Sequence, residues 1–303
     1  YLKSWFSDQV LRDLDRIAVM IGHIDNSSIK SLMWICLSNI LREVSWQKTD
    51  DLRVRREVRL DVDIDPIREF LEESGRTVRL VLALLYRNVN ESIGSFDITE
   101  GDASDISKAW SAWEGKVDTI ITSPPYATAL PYLDTDRLSL CYLGLLPRGY
   151  HRGREKLMIG NREITDNLRK KYWEEYLANI TSLPESVVLL INNIETRNSS
   201  SDVGFRRKNT AALLARYFLA MSDVFIGMKA LLKPGATCFV VVGSNHTVAG
   251  GERVEINTPD LLTDIAANAG LTLDYDVPME MLISRDIFKK NRGASEAILA
   301  FRK

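Results

Sequence analysis

Cysteine and histidine are both scarce in this sequence of 303 residues, which contains only three of each. Cys36, Cys141 and Cys238 lie far apart within apolar stretches. Such placement is typical of small core residues in a reducing compartment and unlike a disulfide framework. The three histidines are equally scattered, so neither residue type forms the ligand cluster that a zinc site requires. We therefore predict a protein without a metal.

The sequence also lacks a run of about 18 apolar residues, which is the length of a membrane-spanning helix. Residues 1–10 carry neither a basic leader nor a long apolar stretch, so we predict a cytoplasmic protein with no membrane association. An excess of positive charge is missing too, because the formal net charge is −2. Any affinity for nucleic acid must therefore come from a local basic patch.

The composition, with 45% hydrophobic and 26% charged residues, is that of an ordinary globular protein. The N-terminal third of the sequence has the apolar spacing of helices. Leu14, Ile17 and Ile21 repeat at the spacing of one helix face, a second helix is expected from about Ser27, and Asp65-Pro66 is a plausible cap and first position of a third. We predict a helical region over residues 1–94 that packs on the rest of the protein.

From residue 95 onward, short apolar runs alternate with helical patterns, which is typical of an α/β fold with a largely parallel sheet. The pattern predicts strands at residues 95–100, 117–122, 237–242, 271–276 and 296–301, and helices at residues 104–113, 209–232 and 258–270. The chain thus has a strand pair after its last helix.

The sequence Ser-Pro-Pro-Tyr at residues 123–126 directly follows a predicted buried strand, so it lies at the carboxyl edge of the sheet, where ligands bind. Pro124 and Pro125 lack N–H groups and have fixed φ angles, so nearby carbonyls point outward as acceptors. Acceptors at Ser123 and Pro124 would bind the hydrogens of an exocyclic base amine and localise its lone pair for attack on a methyl sulfonium. The Tyr126 ring would stack on a base flipped out of a duplex.

The stretch from Asp118 to Tyr126, Asp-Thr-Ile-Ile-Thr-Ser-Pro-Pro-Tyr, resembles the catalytic motif of amino-methyltransferases that act on DNA. The Ser-Pro-Pro-Tyr form is associated with N4-cytosine enzymes, whereas N6-adenine enzymes more often carry Asp-Pro-Pro-Tyr. The resemblance extends over roughly residues 95–303. It implies a Rossmann-like methyltransferase sheet, mostly parallel with its last strand antiparallel, and S-adenosyl-L-methionine as the methyl donor. It gives the catalytic role to Ser123, Pro124, Pro125 and Tyr126.

The same resemblance implies a cofactor site beside this motif. Gly101-Asp102-Ala103 is similar to the family's motif after its third strand, whose acid binds the adenine amine of the cofactor. We assign Gly101, Asp102, Ala103 and Thr122 to cofactor binding. Asp102 has a second interpretation, since an aspartate after a strand often caps the next helix.

A glycine-rich loop of the Phe-x-Gly-x-Gly kind, which cradles the methionine part of the cofactor in this family, is not evident. The stretch Gly243–Gly250 has a different spacing and follows a later strand. Because the chain already begins with a helical pattern, we expect the first two strands of the fold to lie in a preceding segment or on a partner chain.

Residues 141–208 form an insertion between the two parts of the predicted core, residues 95–140 and 209–303, and are basic. An insertion after the catalytic motif is where a target-recognition region would lie, and arginine can hold phosphates or read guanine. A solvated face is the alternative explanation for its positive charges, and we favour contact with DNA. The residues that we assign to DNA binding are Tyr132, Arg148, Arg152, Arg154, Lys156, Arg206 and Arg207.

These observations predict a site-specific methyltransferase of double-stranded DNA, with N4 of cytosine favoured over N6 of adenine. The resemblance alone implies a place in a restriction-modification or phage-defence system. Two alternatives stay open: an RNA base methyltransferase, and a DNA-recognition subunit of a split methyltransferase that binds no cofactor itself.

Overall fold

The computed structural model describes residues 1–48, 55–59, 63–91, 94–127, 132–160, 164–279 and 296–303. The chain divides into two compact units. The first comprises Tyr1–Asp97 and Pro131–Glu155, and the second comprises Ile98–Leu130 and Lys156–Lys303. Residues 141–155 of the predicted recognition region thus belong to the first unit and residues 156–208 to the second. The assignment of residues 141–208 to target recognition stays a prediction.

The helices are α1 (Asp8–Gly22), α2 (Ser27–Ile40), α3 (Pro66–Arg87), α4 (Ile106–Ala109), α5 (Tyr132–Thr135), α6 (Arg137–Tyr142), α7 (His151–Leu157), α8 (Asp166–Ala178), α9 (Glu185–Ser199), α10 (Phe205–Lys208), α11 (Thr210–Leu231) and α12 (Thr258–Asn268). The strands are β1 (Val117–Thr122), β2 (Leu232–Gly243), β3 (Asn245–Ala249), β4 (Glu252–Ile256), β5 (Thr272–Met279) and β6 (Glu296–Arg302).

The first unit is helical because its sequence supplies both helix caps and apolar faces. The side chain of Ser7 accepts a hydrogen bond from the Val10 N–H at the start of α1, and Asn26 caps α2 in the same way. The Asp65 carboxylate caps α3, which begins at Pro66 as the sequence predicts. Apolar residues of α1 and α2 form the core of this unit.

The second unit contains a four-stranded sheet with the order β1-β2-β6-β5. β1 pairs with β2 in parallel, whereas β6 pairs antiparallel with both β2 and β5. Three strands therefore run in one direction and the last strand of the chain runs against them. This arrangement confirms the predicted α/β fold with a mostly parallel sheet and an antiparallel last strand.

α11 is the central helix of the second unit, with fourteen residues buried. It packs with α9, α12 and one face of the sheet in a single apolar cluster. The segment Phe205–Leu231 is long and apolar enough to cross a membrane by length and composition, but 67% of its most apolar window is buried inside the protein. Such burial is typical of the core helix of a globular fold.

Two predicted elements before β1 differ from the structure. Residues 95–100 have no strand pairing, and Phe96 and Ile98 are 87% and 85% exposed. A strand persists only where a neighbour pairs with its backbone, and none of the described strands lies beside this segment. The predicted helix at residues 104–113 is reduced to α4 between two short 3₁₀ turns. The strand prediction was therefore wrong, and the helix prediction is confirmed only over the four residues of α4.

Candidate active site

The Ser-Pro-Pro-Tyr turn begins where the parallel pairing of β1 and β2 ends. Ile120 lies beside Cys238 in the ladder and packs against the core, and the last paired residues are Thr122 and Val240. Ser123 follows directly. The turn therefore lies at the carboxyl edge of the sheet, as predicted, where side chains and backbone groups can meet a ligand.

Hydrogen bonds to the neighbouring strands hold the backbone of this turn. The Ser123 hydroxyl donates to the carbonyl oxygen of Val241 across 3.2 Å. At the other end of the turn, the Asn245 amide donates to the carbonyl oxygen of Ala127 across 2.8 Å. Because Asn245 also accepts from the N–H of His246, its own side chain is fixed. The turn is thus held by the end of β2 on one side and by the first residue of β3 on the other.

The ring of Tyr126 is half-buried and packs against the core of the second unit. Its hydroxyl donates a hydrogen bond of 2.6 Å to Oε1 of Glu296, the first residue of β6. Neither Asn245 nor Glu296 was among the predicted site residues. A sequence signal existed for Glu296, because the first residue of an antiparallel last strand lies at the carboxyl edge of the parallel strands.

The turn offers oxygen acceptors beside an aromatic ring. Ser123 is exposed, and since its proton is used in the bond to Val241, its hydroxyl oxygen can act toward a ligand only as an acceptor. The carbonyls of Ser123 and Pro124 lie beyond the last paired residues of the ladder. Acceptors next to a ring suit a planar ligand that carries an amine donor.

The Gly101–Ala103 segment lies on the same unit, and the 3₁₀ turn that it leads into, Ala103–Asp105, packs against α11. Oδ1 of Asp102 accepts from the N–H and the hydroxyl of Ser104, at 2.9 and 2.7 Å, so Asp102 caps the short turn that follows. Asp102 is nevertheless exposed. Burial and, to a smaller extent, the negative charge of Asp102 raise the pKa of Asp223. An exposed, backbone-anchored carboxylate fits the amine of an adenine ring.

The glycines that follow β2 belong to a hairpin turn and not to a cofactor-binding loop. Strands β3 and β4 form a hairpin whose two-residue turn is Gly250-Gly251, with φ values of 57° and 88°. Both angles lie in the left-handed region that a tight hairpin turn requires. This stretch therefore has its own structural reason for being rich in glycine.

β1 is an edge strand. Among the residues that the structure describes, no strand pairs with the side of β1 that faces away from β2. The side chain of Ile121, one residue before Thr122, is 76% exposed. The unpaired backbone of an edge strand is the usual place for another strand to pair, and the exposed Ile121 shows that the sheet face beside this edge is uncovered.

The predicted DNA-binding residues are divided between the units. Tyr132 begins α5 in the first unit, which also carries the exposed residues Arg148, Arg152 and Arg154. The Arg148 guanidinium lies over the ring of Tyr1, 5.8 Å from its centroid.

The second unit carries the other three predicted DNA-binding residues, Lys156, Arg206 and Arg207, all of them exposed. The two arginines lie on the four-residue helix α10. Of all the predicted site residues, the structure brings together Thr122 and the turn from Ser123 to Tyr126.

No protein-family model matches the chain. It is 24% identical over 264 residues to proteins named Type II methyltransferase M.AvaI from Nostoc sp. and from Anabaena variabilis. It is 25% identical over 300 residues to Type II methyltransferase M.BsoBI of Geobacillus stearothermophilus. The alignments cover 82% and 88% of this chain but 53% and 57% of those relatives. The chain thus spans about half the length of the curated relatives it matches, and its distant homologues are Type II methyltransferases.

Proposed function

We propose that this chain is the target-base half of a site-specific DNA methyltransferase, which transfers a methyl group from S-adenosyl-L-methionine to N4 of cytosine. The observation that carries the proposal is the Ser-Pro-Pro-Tyr turn at the carboxyl end of a parallel strand, with its oxygens and its tyrosine ring at the edge of the sheet. The distant similarity to Type II methyltransferases supports it independently.

In this proposal the turn binds the exocyclic amine of a flipped base. The Ser123 oxygen and the backbone carbonyl of Pro124 accept the two amine hydrogens, and this draws the nitrogen lone pair out of conjugation with the ring. The Tyr126 ring stacks on the base. A serine at the first position favours cytosine over adenine on the resemblance alone.

Asp102 would hold the adenine amine of the methyl donor, because it is exposed and already anchored through Ser104. When bound, S-adenosyl-L-methionine supplies an electrophilic methyl group. The remaining part of its site would come from polypeptide that pairs along the open edge of β1, either in the same protein or on a partner chain. The exposed Ile121 and the relatives' greater length support this proposal.

The experiment uses the full-length protein as its gene encodes it, with tritium-labelled S-adenosyl-L-methionine and duplex DNA. We expect label in DNA, and digestion to nucleosides should yield N4-methylcytosine. Tyr126→Ala should abolish transfer, whereas Tyr86→Ala, at a tyrosine that is 83% exposed, is the matched control and should leave it unchanged.

Three results would count against the proposal. Label found in transfer RNA and not in DNA would favour an RNA methyltransferase, and N6-methyladenine would correct the target base. A full-length protein that neither binds S-adenosyl-L-methionine in a calorimeter nor transfers label would refute the enzymatic function.

A further inference from the structure

Tyr126 is held at both ends of its side chain. Its backbone lies between the buried residues Pro124 and Ala127, and its ring packs partly on the core. Its hydroxyl reaches Oε1 of Glu296 at 2.6 Å, which is the length of a strong hydrogen bond between a hydroxyl and a carboxylate. Rotation of the ring away from this position would break that bond.

The sheet itself brings Glu296 to this place. Glu296 lies opposite Gly243, the last residue of β2, and opposite Met279, the last residue of β5. β6 runs against β2, so β6 begins where β2 ends. Tyr126 and Glu296 therefore meet at the same edge although 170 residues separate them in the chain.

We infer that Glu296 is a positioning residue that fixes the ring of Tyr126 for stacking on the target base. This inference rests on the proposed function. Stacking is strongest when the ring already occupies one plane before the base binds. A ring that is ordered only during binding loses conformational entropy, and this loss weakens the binding of the base. Glu296 can hold the ring in place without covering it, because it bonds only to the hydroxyl at the end of the Tyr126 side chain.

The test compares Glu296→Ala, Glu296→Gln, Tyr126→Phe and the double variant Tyr126→Phe with Glu296→Ala in the full-length protein. Loss of one hydrogen bond to a charged group should lower kcat/KM for DNA by about tenfold. Glu296→Gln should be intermediate, because an amide oxygen still accepts from the hydroxyl. The double variant should be no worse than Tyr126→Phe alone, because both changes remove the same bond.

Two further measurements separate positioning from a general loss of structure. With 2-aminopurine at the target position, Glu296→Ala should change the fluorescence of the flipped base, while the KM for S-adenosyl-L-methionine stays unchanged. The matched control is Glu255→Ala, at an exposed glutamate of β4, which should retain wild-type values. Thermal unfolding of each variant shows whether it is folded.

A wild type that transfers no methyl group would overturn the proposed function and this inference together. An active wild type whose Glu296→Ala variant is equally active would overturn the inference alone. Multiplying losses in the double variant would also overturn it, because two independent effects cannot come from one bond.

Discussion

Gly227 of α11 allows the segment that carries Asp102 to pack closely against the central helix. A Cβ built on Gly227 would lie 2.5 Å from Cγ2 of Ile106, far inside van der Waals contact. Ile106 begins α4, shortly after the Gly101–Ala103 turn. We therefore expect Gly227→Ala to push this segment outward and to destabilise the protein.

Two opposing effects set the magnitude. Overpacking by an extra methyl group costs about 1–3 kcal/mol. Replacing glycine by alanine inside a helix returns about 1 kcal/mol through helix propensity. The clash exceeds this gain because Cγ2 of Ile106 is bonded to Cβ of a branched side chain. It therefore cannot move away from the new methyl group unless the backbone moves as well. We expect a net loss of about 1 kcal/mol in the free energy of unfolding, measured by urea denaturation.

The control is Gly153→Ala in α7, where an added Cβ would meet no atom within 4 Å, so that only the propensity gain remains. Combining Gly227→Ala with Ile106→Ala removes the clashing methyl group, and the two changes should cost less together than the sum of their separate effects. If Gly227→Ala were as stable as the wild type, the close packing of this segment on α11 would be refuted.

Three further predictions follow from other parts of the chain. Burial raises the pKa of the Cys238 thiol to about 11, so the unfolded chain loses this proton at a lower pH than the folded protein does. The free energy of unfolding of the wild type, measured in urea at each pH, should therefore fall relative to that of Cys238→Ala as the pH rises from 9 to 11. Parallel curves for the two proteins would contradict this. Gly250→Ala should destabilise the hairpin by about 1–3 kcal/mol, because φ is 57° and the new Cβ would lie 3.1 Å from the Arg197 carbonyl oxygen; unchanged thermal unfolding would argue against that turn. Replacing Arg206 and Arg207 by alanine should weaken DNA binding, because two contacts to phosphates are lost. The slope of log affinity against log salt concentration should become smaller in magnitude by about 2. If the two arginines only belong to a solvated face, the affinity and the slope will both stay unchanged.

The amino-acid sequence alone located the turn on which the candidate site is built. Ser123 to Tyr126 could be placed at a strand end because a buried strand and a proline pair are local signals, and β1 has the predicted bounds. The cap at Asp65 and the position of α11 were predictable for the same reason. In each case the deciding interactions lie within a few residues of each other.

Tertiary structure decided what holds the site in place. The bond between Tyr126 and Glu296 and that between Asn245 and Ala127 depend on strand order and register, which join residues more than a hundred positions apart. The same dependence explains why residues 95–100 were wrongly predicted as a strand: their pattern is suitable, but a strand needs a paired neighbour. Local spacing determines which residues can act, and long-range pairing determines which of them meet.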